Sequence, residues 1–402
     1  MKNLLLALAL SVAAVAQAHA QDTAPMPPVM IIEDGALVGD GADVLNAKLG
    51  NTQFILIGEE HGFADAPVIS RALAASAWRY GLRHHVVEAG PIATEWAVGV
   101  LRGDGVDGLG VALGGRPLAL PFLNMREDAE LAQYFLDNRG KLWGIDQEFI
   151  GSSILHLERL EDLARNDDAR TMAGGLLEAE RTAFSTGAQD RMFLFSANEE
   201  TFSGLETAFA NQSEALSIVT ALRESASIYQ AYASGRNFKS NTDRIDLMKA
   251  QFMEQYRGSR KRAPRALFKM GAIHLGRGTT FLNTFDIGSL TEGVAASNGM
   301  EVMRLLINPL EGEQTQIRPS PDGFFTTIAY ESEDVAGVLE MMGIDADDIP
   351  VDGWALIDLA PLRFQLGQKG LNALPNEARF MILGYDYLVT TRGAKAATPL
   401  AN

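Results

Sequence analysis

The sequence contains no cysteine among its 402 residues. This absence excludes disulfide bonds, thiolate metal ligands, cysteine nucleophiles and the acylated cysteine of a lipoprotein anchor. Basic residues are also few, because 34 Lys and Arg stand against 51 Asp and Glu and the formal net charge is −17 at pH 7. Proteins that bind nucleic acid need cationic side chains to displace counterions from phosphate, so this charge balance argues against a nucleic-acid partner.

Long apolar runs are lacking except at the N-terminus. There Lys2 precedes an apolar run over residues 4–15, and Ala18-His19-Ala20 follows it, which is the order of a cleavable secretory signal. The run is shorter than the roughly 20 apolar residues that a spanning helix needs. We therefore expect a signal peptide over residues 1–20, cleavage after Ala20, a flexible leader over residues 21–30, and a periplasmic or secreted protein without a membrane anchor.

Short apolar runs that end in a polar or glycine-rich turn recur along the chain. They lie at residues 54–57, 85–87, 142–145, 266–268, 302–307, 354–359 and 380–383. These runs predict buried strands, and the helical spacing of apolar residues at 67–78 predicts a βαβ unit between the first two. We therefore expect an α/β fold with a mainly parallel sheet flanked by helices.

Residues 151–250 have a different pattern, with Leu, Ala, Glu and Arg at helical spacing. We interpret them as a mainly helical insertion in a single α/β domain that covers residues 31–402. Placed over the carboxyl edge of the strands, the insertion would cap a pocket and exclude water. The glycine-rich segment 103–115 lacks the Lys and Ser/Thr of a phosphate-binding loop and is expected to be a flexible connection.

Polar side chains follow several of the predicted strands. His61 and His274 each end a Gly-x-x-His turn directly after an apolar run, while Glu88 and Asp146 end two other runs. Because open α/β folds bind ligands at the carboxyl ends of their strands, we expect these four side chains and Glu59 to share one site. A carboxylate at the end of a buried strand is costly unless it is paired or bound to a cation.

Two imidazoles and three carboxylates permit two kinds of site. One is a divalent metal site for zinc, manganese or iron, with candidate ligands Glu59, His61, Glu88, Asp146 and His274. The other is a metal-free site in which a carboxylate orients a histidine that deprotonates water. The residues alone leave both open.

Sequence position assigns Arg244 and the histidines His84, His85 and His156 less directly to this site. Arg244, close to a predicted helix start, could reach the site as an anion or transition-state clamp, or could lie on a surface helix that Asp243 caps. We expect His84, His85 and His156 to be structural. A serine nucleophile has no support, because the chain contains no Gly-x-Ser-x-Gly elbow.

The ordered motifs resemble the superfamily that groups erythromycin esterases with Tiki/TraB-like and ChaN-like proteins. The motifs fall within residues 50–310 and are Ile55-Leu56-Ile57-Gly58-Glu59-Glu60-His61-Gly62, Val86-Val87-Glu88-Ala89-Gly90, Gly144-Ile145-Asp146, the helix start at Asp243, and Met270-Gly271-Ala272-Ile273-His274-Leu275. In the esterases the first motif carries the general base and the second an essential acid, so the resemblance implies these roles for His61 and Glu88.

The chain departs from the esterase motifs at two places. One residue rather than two separates Glu59 from His61, as in the ChaN-like form. Gly271 stands where the esterases have a further histidine, as in Tiki/TraB-like proteins. These departures argue against macrolide hydrolysis and make a metal site of the Tiki type plausible.

Residues and resemblance together predict a periplasmic hydrolase that activates water to cleave an ester or amide in a small-molecule or peptide substrate. In it His61 is the base, Glu88 and Asp146 are orienting residues or ligands, and His274 is a ligand or a second acid/base. The alternative is a ChaN-like periplasmic protein that binds haem or a metal ion without turnover. A third possibility is a degenerate member that serves as an interaction module.

Overall fold

The computed structural model describes residues 26–116, 118–259, 261–320 and 323–401. The expected signal peptide at residues 1–20 and the first half of the expected leader lie outside the described residues, so both stay predictions. Within the described ranges, no helix is long and apolar enough to cross a membrane.

The described residues contain eleven strands. In chain order they are β1 (Val29–Glu33), β2 (Ala36–Val38), β3 (Thr52–Glu59), β4 (Leu82–Val87), β5 (Lys141–Gly144), β6 (Arg265–Gly271), β7 (Glu301–Ile307), β8 (Glu311–Ser320), β9 (Gly323–Glu331), β10 (Trp354–Asp358) and β11 (Tyr387–Thr390). Nine of them form one sheet in the order β2-β1-β10-β11-β7-β3-β6-β4-β5, and β8 and β9 form a separate hairpin.

The sheet is parallel from β11 to β5, and antiparallel pairs join β11 to β10, β10 to β1 and β1 to β2. The helices of the described residues are α1 (Asp40–Lys48), α2 (Asp65–Ala77), α3 (Pro91–Ala112), α4 (Arg126–Asp137), α5 (Ser153–Leu163), α6 (Asp167–Thr186), α7 (Phe193–Ser196), α8 (Glu199–Ala208), α9 (Ser213–Ala233), α10 (Asn237–Gly258), α11 (Ala272–Leu275), α12 (Ile287–Ser297), α13 (Glu333–Met342), α14 (Ala360–Ala373) and α15 (Asn376–Gly384). The predicted α/β class with a mainly parallel sheet is confirmed.

Both faces of the sheet are buried, as alternate residues of β3 illustrate. Phe54 and Leu56 belong to one core, where the Phe54 ring contacts Phe252 of α10 with ring centroids 5.8 Å apart. Ile55 and Ile57 point the other way into a second core with residues of α1, α2 and α4. Because successive side chains of a strand point to opposite faces, a continuous apolar run is what a strand covered on both sides requires.

Six helices, α5 to α10, connect β5 to β6. Residues of α5 to α9 share a hydrophobic core of their own, which includes Leu157, Phe209 and Leu222. In contrast, α10 packs on the sheet through Met248 and Phe252. The helical segment thus meets the sheet through its last helix, and its treatment as an insertion in one domain stays a prediction.

Two local expectations are wrong. The apolar run 380–383 lies in α15 rather than in a strand, and the last strand is β11. Short apolar runs occur in buried helices as well as in buried strands, so the pattern does not separate them. Most of the glycine-rich segment 103–115 lies in α3, which kinks at Gly105, where φ is 69° and glycine is tolerated best.

Candidate active site

The carboxyl ends of four neighbouring strands bring the predicted residues together. β3 ends at Glu59, while Glu88 and Asp146 follow β4 and β5. β6 ends at Gly271 and leads directly into α11, which carries His274. A cavity of about 430 Å³ opens at this edge, and the charged side chains that line it are His61, Glu88, Asp146, Arg244 and His274.

His61 is oriented by Glu59. Its Nδ1 lies 2.9 Å from Glu59 Oε1, and its Nε2 lies 3.7 Å from Glu88 Oε2. The imidazole stacks on Phe122 with ring centroids 4.2 Å apart, and 38% of the side chain remains exposed. Burial lowers the pKa of His61, but the hydrogen bond to Glu59 and the charge of Glu88 outweigh burial, so the pKa lies above 6.5.

Lys269 and Asp128 form a buried pair next to Glu59, and neither residue belongs to the site that the sequence predicts. Lys269 Nζ is 2.5 Å from Glu59 Oε1 and 2.8 Å from Asp128 Oδ1, and its side chain is only 3% exposed. Burial lowers the Lys269 pKa, but the two carboxylates raise it by more. Burial raises the pKa of Asp128 to about 6, although Lys269 lowers it. The sequence does carry a signal for this pair, because a lysine ammonium inside an apolar strand is costly to bury unless it is paired with a carboxylate.

Glu88 lies between three positive or titratable groups. Its Oε1 accepts from Arg244 Nη2 at 3.0 Å and faces His274 Nε2 at 3.4 Å. Its Oε2 accepts from the Gly271 backbone N–H at 2.6 Å. Burial raises the pKa of Glu88, but His274, His61 and Arg244 together lower it well below 4.5. Glu88 is therefore ionised throughout the neutral range.

Arg244 joins Asp146 to Glu88. Its Nε and Nη2 donate to the two Asp146 oxygens at 2.9 and 2.5 Å, which is the bidentate geometry that suits arginine. Nη1 has no hydrogen-bond acceptor in the described part of the chain and is the nitrogen left for a substrate. The alternative of a surface helix start is wrong, because Arg244 lies two turns into α10, is half-buried against Glu88 and Asp146, and Asp243 pairs with Lys239 instead of capping the helix.

His274 is held by Asp286, a third residue outside the site that the sequence predicts. His274 Nδ1 lies 2.9 Å from Asp286 Oδ2, and Asp286 Oδ1 caps α12 by accepting from the Ile287 N–H at 2.6 Å. Burial and Arg244 lower the pKa of His274, but Glu88 and Asp286 outweigh them and raise it to about 9. His274 is therefore an imidazolium at neutral pH. An aspartate before an apolar helical run is a recognisable cap signal.

The site leaves no space for a side chain at Gly271. A Cβ at this position would lie 2.9 Å from His61 Nε2 and 3.4 Å from Glu88 Oε2. The further histidine of the esterase motif therefore has no room here unless His61 moves. The geometry of the site therefore explains why this chain has glycine where the esterases have a histidine.

The other three histidines of the described residues, His84, His85 and His156, lie away from the cavity lining. His84 Nδ1 lies 3.0 Å from the Arg265 carbonyl oxygen, and burial lowers the pKa of His85 to about 3. His156 Nε2 lies 2.7 Å from Glu148, which also accepts from backbone N–H groups at the start of α3. Contacts of this kind hold parts of the fold together and do not involve the cavity.

The five predicted metal ligands do not fit a metal ion as they are arranged. The described residues include no group of three or more His, Asp or Glu side chains that could hold one. The carboxylates are already neutralised, since Arg244 pairs with Glu88 and Asp146 and Lys269 pairs with Glu59. Each ring nitrogen of His61 and His274 also faces a carboxylate, so either histidine would have to give up such a contact to ligate a haem iron.

No protein-family model and no curated protein matches the chain. Solved structures do match, and one is an erythromycin esterase, EreC, in its open conformation, with 14% identity, a TM-score of 0.57, and coverage of 88% of this chain and 94% of that one. This chain has the same fold. A protein from Bacillus cereus matches with 12% identity, a TM-score of 0.51, and coverage of 93% and 96%.

The haem-binding ChaN of Campylobacter jejuni matches at 8% identity and a TM-score of 0.29, over 76% of this chain and 98% of that one, too low to carry an argument. The erythromycin esterase and Bacillus cereus structures therefore confirm the α/β fold that the resemblance of the motifs implies. Since one fold can host unrelated activities, function has to be argued from the site.

Proposed function

We propose that this protein is a hydrolase in which His61 deprotonates water for attack on an ester or amide carbonyl. The observation that carries the proposal is the contact between His61 Nδ1 and Glu59 at the wall of the cavity. An ionised carboxylate accepts hydrogen bonds and does not donate them, so Glu59 favours the tautomer with the proton on Nδ1. The Nε2 lone pair is then available to a water molecule in the cavity.

Two cationic groups on the opposite side support the same reaction. As water attacks, its proton passes to His61 Nε2, the new carbon–oxygen bond forms, and negative charge develops on the carbonyl oxygen. Arg244 lines the cavity, and its Nη1 would donate to that oxygen; the positive charge of His274, whose ring nitrogens both face carboxylates, would stabilise it at longer range. When the bond to the leaving group breaks, His61 returns the proton to it.

Glu88 is a positioning residue in this scheme. It accepts from Arg244 and the Gly271 N–H and faces both histidines, so it fixes the spacing between base and oxyanion stabilisers. The chemistry proposed here uses these side chains alone and passes no step through a metal. Residues 1–20 support export, and we propose that the mature protein acts in the periplasm on small-molecule substrates.

The test is turnover of a panel of p-nitrophenyl esters by the mature protein before and after treatment with a chelator. His61→Ala should lower kcat/KM by roughly 10²- to 10⁴-fold, the usual range for a general base. Glu88→Gln should behave similarly, because it keeps the shape and removes the charge. Glu340→Gln, an exposed change on α13, is the matched control and should have no effect.

The pH profile adds a second readout. Turnover should rise as His61 loses its proton above pH 6.5 and fall as His274 loses its proton near pH 9. The proposal fails if no ester or amide is cleaved, if His61→Ala retains turnover, or if activity disappears with the chelator and returns with a metal ion.

A further inference from the structure

The walls and charges of the cavity narrow the class of substrate. We infer that the site takes an uncharged small ester or amide whose acyl group is flat and apolar, such as an aromatic acid ester. This inference rests on the proposed hydrolase function and deepens it. It is carried by two independent observations, the complete pairing of the charged side chains and the three aromatic side chains in the remaining wall.

Every charged side chain on the wall already has an opposite partner in the protein. Asp146 and Glu88 share Arg244, and the two histidines each contact Glu88 and a second carboxylate, Glu59 or Asp286. A substrate carboxylate or phosphate would meet only Arg244 Nη1, on a guanidinium that Asp146 and Glu88 already neutralise, and a substrate ammonium would have to break one of these pairs. The pairing therefore selects for neutral ligands.

The uncharged part of the wall includes three aromatic side chains, among small and polar residues such as Gly90, Gln147 and Ser152. It contains Phe122, Phe149 and Tyr229, with Pro121 and Ile273 beside them. Phe122 holds its ring over His61 although its backbone is left-handed, with φ at 61°. A bulky residue rarely adopts this conformation, and such strain is concentrated at binding and catalytic sites. A flat apolar group beside the base would stack on these rings.

The size of the cavity agrees with a small molecule. Its volume of about 430 Å³ lies in the lower part of the range of roughly 300–1,000 Å³ for ligand pockets. An aromatic ester fits such a volume, while an extended peptide would have to leave most of its length outside. The substrate class is thus a compact neutral ester or amide rather than a peptide.

Binding can be measured apart from turnover with ketones, which the enzyme cannot hydrolyse. We would titrate the mature protein with 4-methylacetophenone, 4-acetylbenzoate and (4-acetylphenyl)trimethylammonium, three ligands of similar shape that differ in charge, by ligand-observed NMR. The neutral ketone should bind at least about tenfold more tightly than either charged ketone. Equal or tighter binding of a charged ketone, or no binding of the neutral one, would overturn the inference.

A substitution at Phe122 tests the aromatic wall. Asparagine tolerates a positive φ, so Phe122→Asn should keep the backbone and the melting temperature while weakening binding of the neutral ketone about tenfold. Phe364→Asn is the control, because Phe364 is 87% exposed on α14 and does not line the cavity. Unchanged affinity in the Phe122 variant would refute the role of the ring.

The two proposals fail in different ways. If 4-methylacetophenone binds but no ester is cleaved, the hydrolase function is wrong and the cavity is a binding site for neutral aromatics. If esters are cleaved but the charged ketones bind as tightly as the neutral one, the hydrolase stands and the substrate class is wrong.

Discussion

Lys269→Met removes the buried ammonium that lies between Glu59 and Asp128 while keeping an unbranched apolar side chain of similar length. The ammonium nitrogen lies 2.5 Å from the Glu59 carboxylate and 2.8 Å from that of Asp128, and both ion pairs are in the interior. Removing one partner of a buried ion pair leaves an uncompensated charge and costs about 3–5 kcal/mol. We therefore expect the free energy of unfolding at pH 8 to fall by about this amount.

The loss should depend on pH in a defined direction. Lys269 lowers the pKa of Asp128, so in the variant this pKa should rise above the value of about 6 that Asp128 has in the intact protein. A carboxyl group whose folded-state pKa is raised stabilises the fold below its unfolded pKa and loses that contribution as pH rises through the folded pKa. The destabilisation should hence be smaller at pH 5 than at pH 8, by about 1.4 kcal/mol for each unit of additional pKa rise.

The assay is urea denaturation of the variant and of the intact protein at pH 5 and pH 8. Lys141→Met provides the control, because Lys141 is exposed on the edge strand β5 and its loss should change stability by no more than about 0.5 kcal/mol. A loss below about 1 kcal/mol at pH 8, or one that is equal at both pH values, would refute the assigned charge network.

Three further predictions follow from the site. Gly271→Ala should reduce ester turnover by roughly 10²-fold with an unchanged melting temperature, because its Cβ would lie 2.9 Å from His61 Nε2; full turnover would contradict the fit. His274 has a pKa of about 9, so its stabilising contribution should be complete below pH 6.5 and be lost towards pH 9. Urea denaturation of His274→Ala should therefore show a loss of stability that shrinks over that window, and a loss that grows would be the wrong sign. His156→Ala should keep turnover but lower the free energy of unfolding by about 1–3 kcal/mol, because Glu148 loses a buried partner; a loss of turnover with intact stability would place the pair in the site.

The position of the site edge could be predicted because two simple signals coincide there. Apolar runs mark buried strands, and the polar residue that ends each run, such as Glu59, Glu88 or Asp146, marks its carboxyl end. Parallel strands align those ends, so residues far apart in sequence meet without any detailed knowledge of packing. His61 and His274 lie 3.7 and 3.4 Å from the same carboxylate for this reason.

The partners of these residues could not be predicted in the same way. Lys269 is in the middle of its strand and Asp128 is in the first turn of α4, so neither stands at a strand end. Their contact with Glu59 depends on which helix packs over which strand. Whether the carboxylates are free to bind a metal depends on the same contacts, because Lys269 pairs with Glu59 and Arg244 pairs with Glu88 and Asp146.

The loop that carries His61 shows how far such long-range contacts reach. The His61 carbonyl accepts from Gln314 Nε2 at 2.8 Å, from a residue 253 positions later in the chain. The Gly62 carbonyl accepts from the N–H groups of Thr315 and Ala397, both at 2.9 Å. A Cβ on Gly62 would lie 2.1 Å from the Thr315 carbonyl oxygen, so the glycine is required by the β8 hairpin and not by the chemistry. Sequence differences around the position of His61 within this fold are then expected where the hairpin and the C-terminal segment differ.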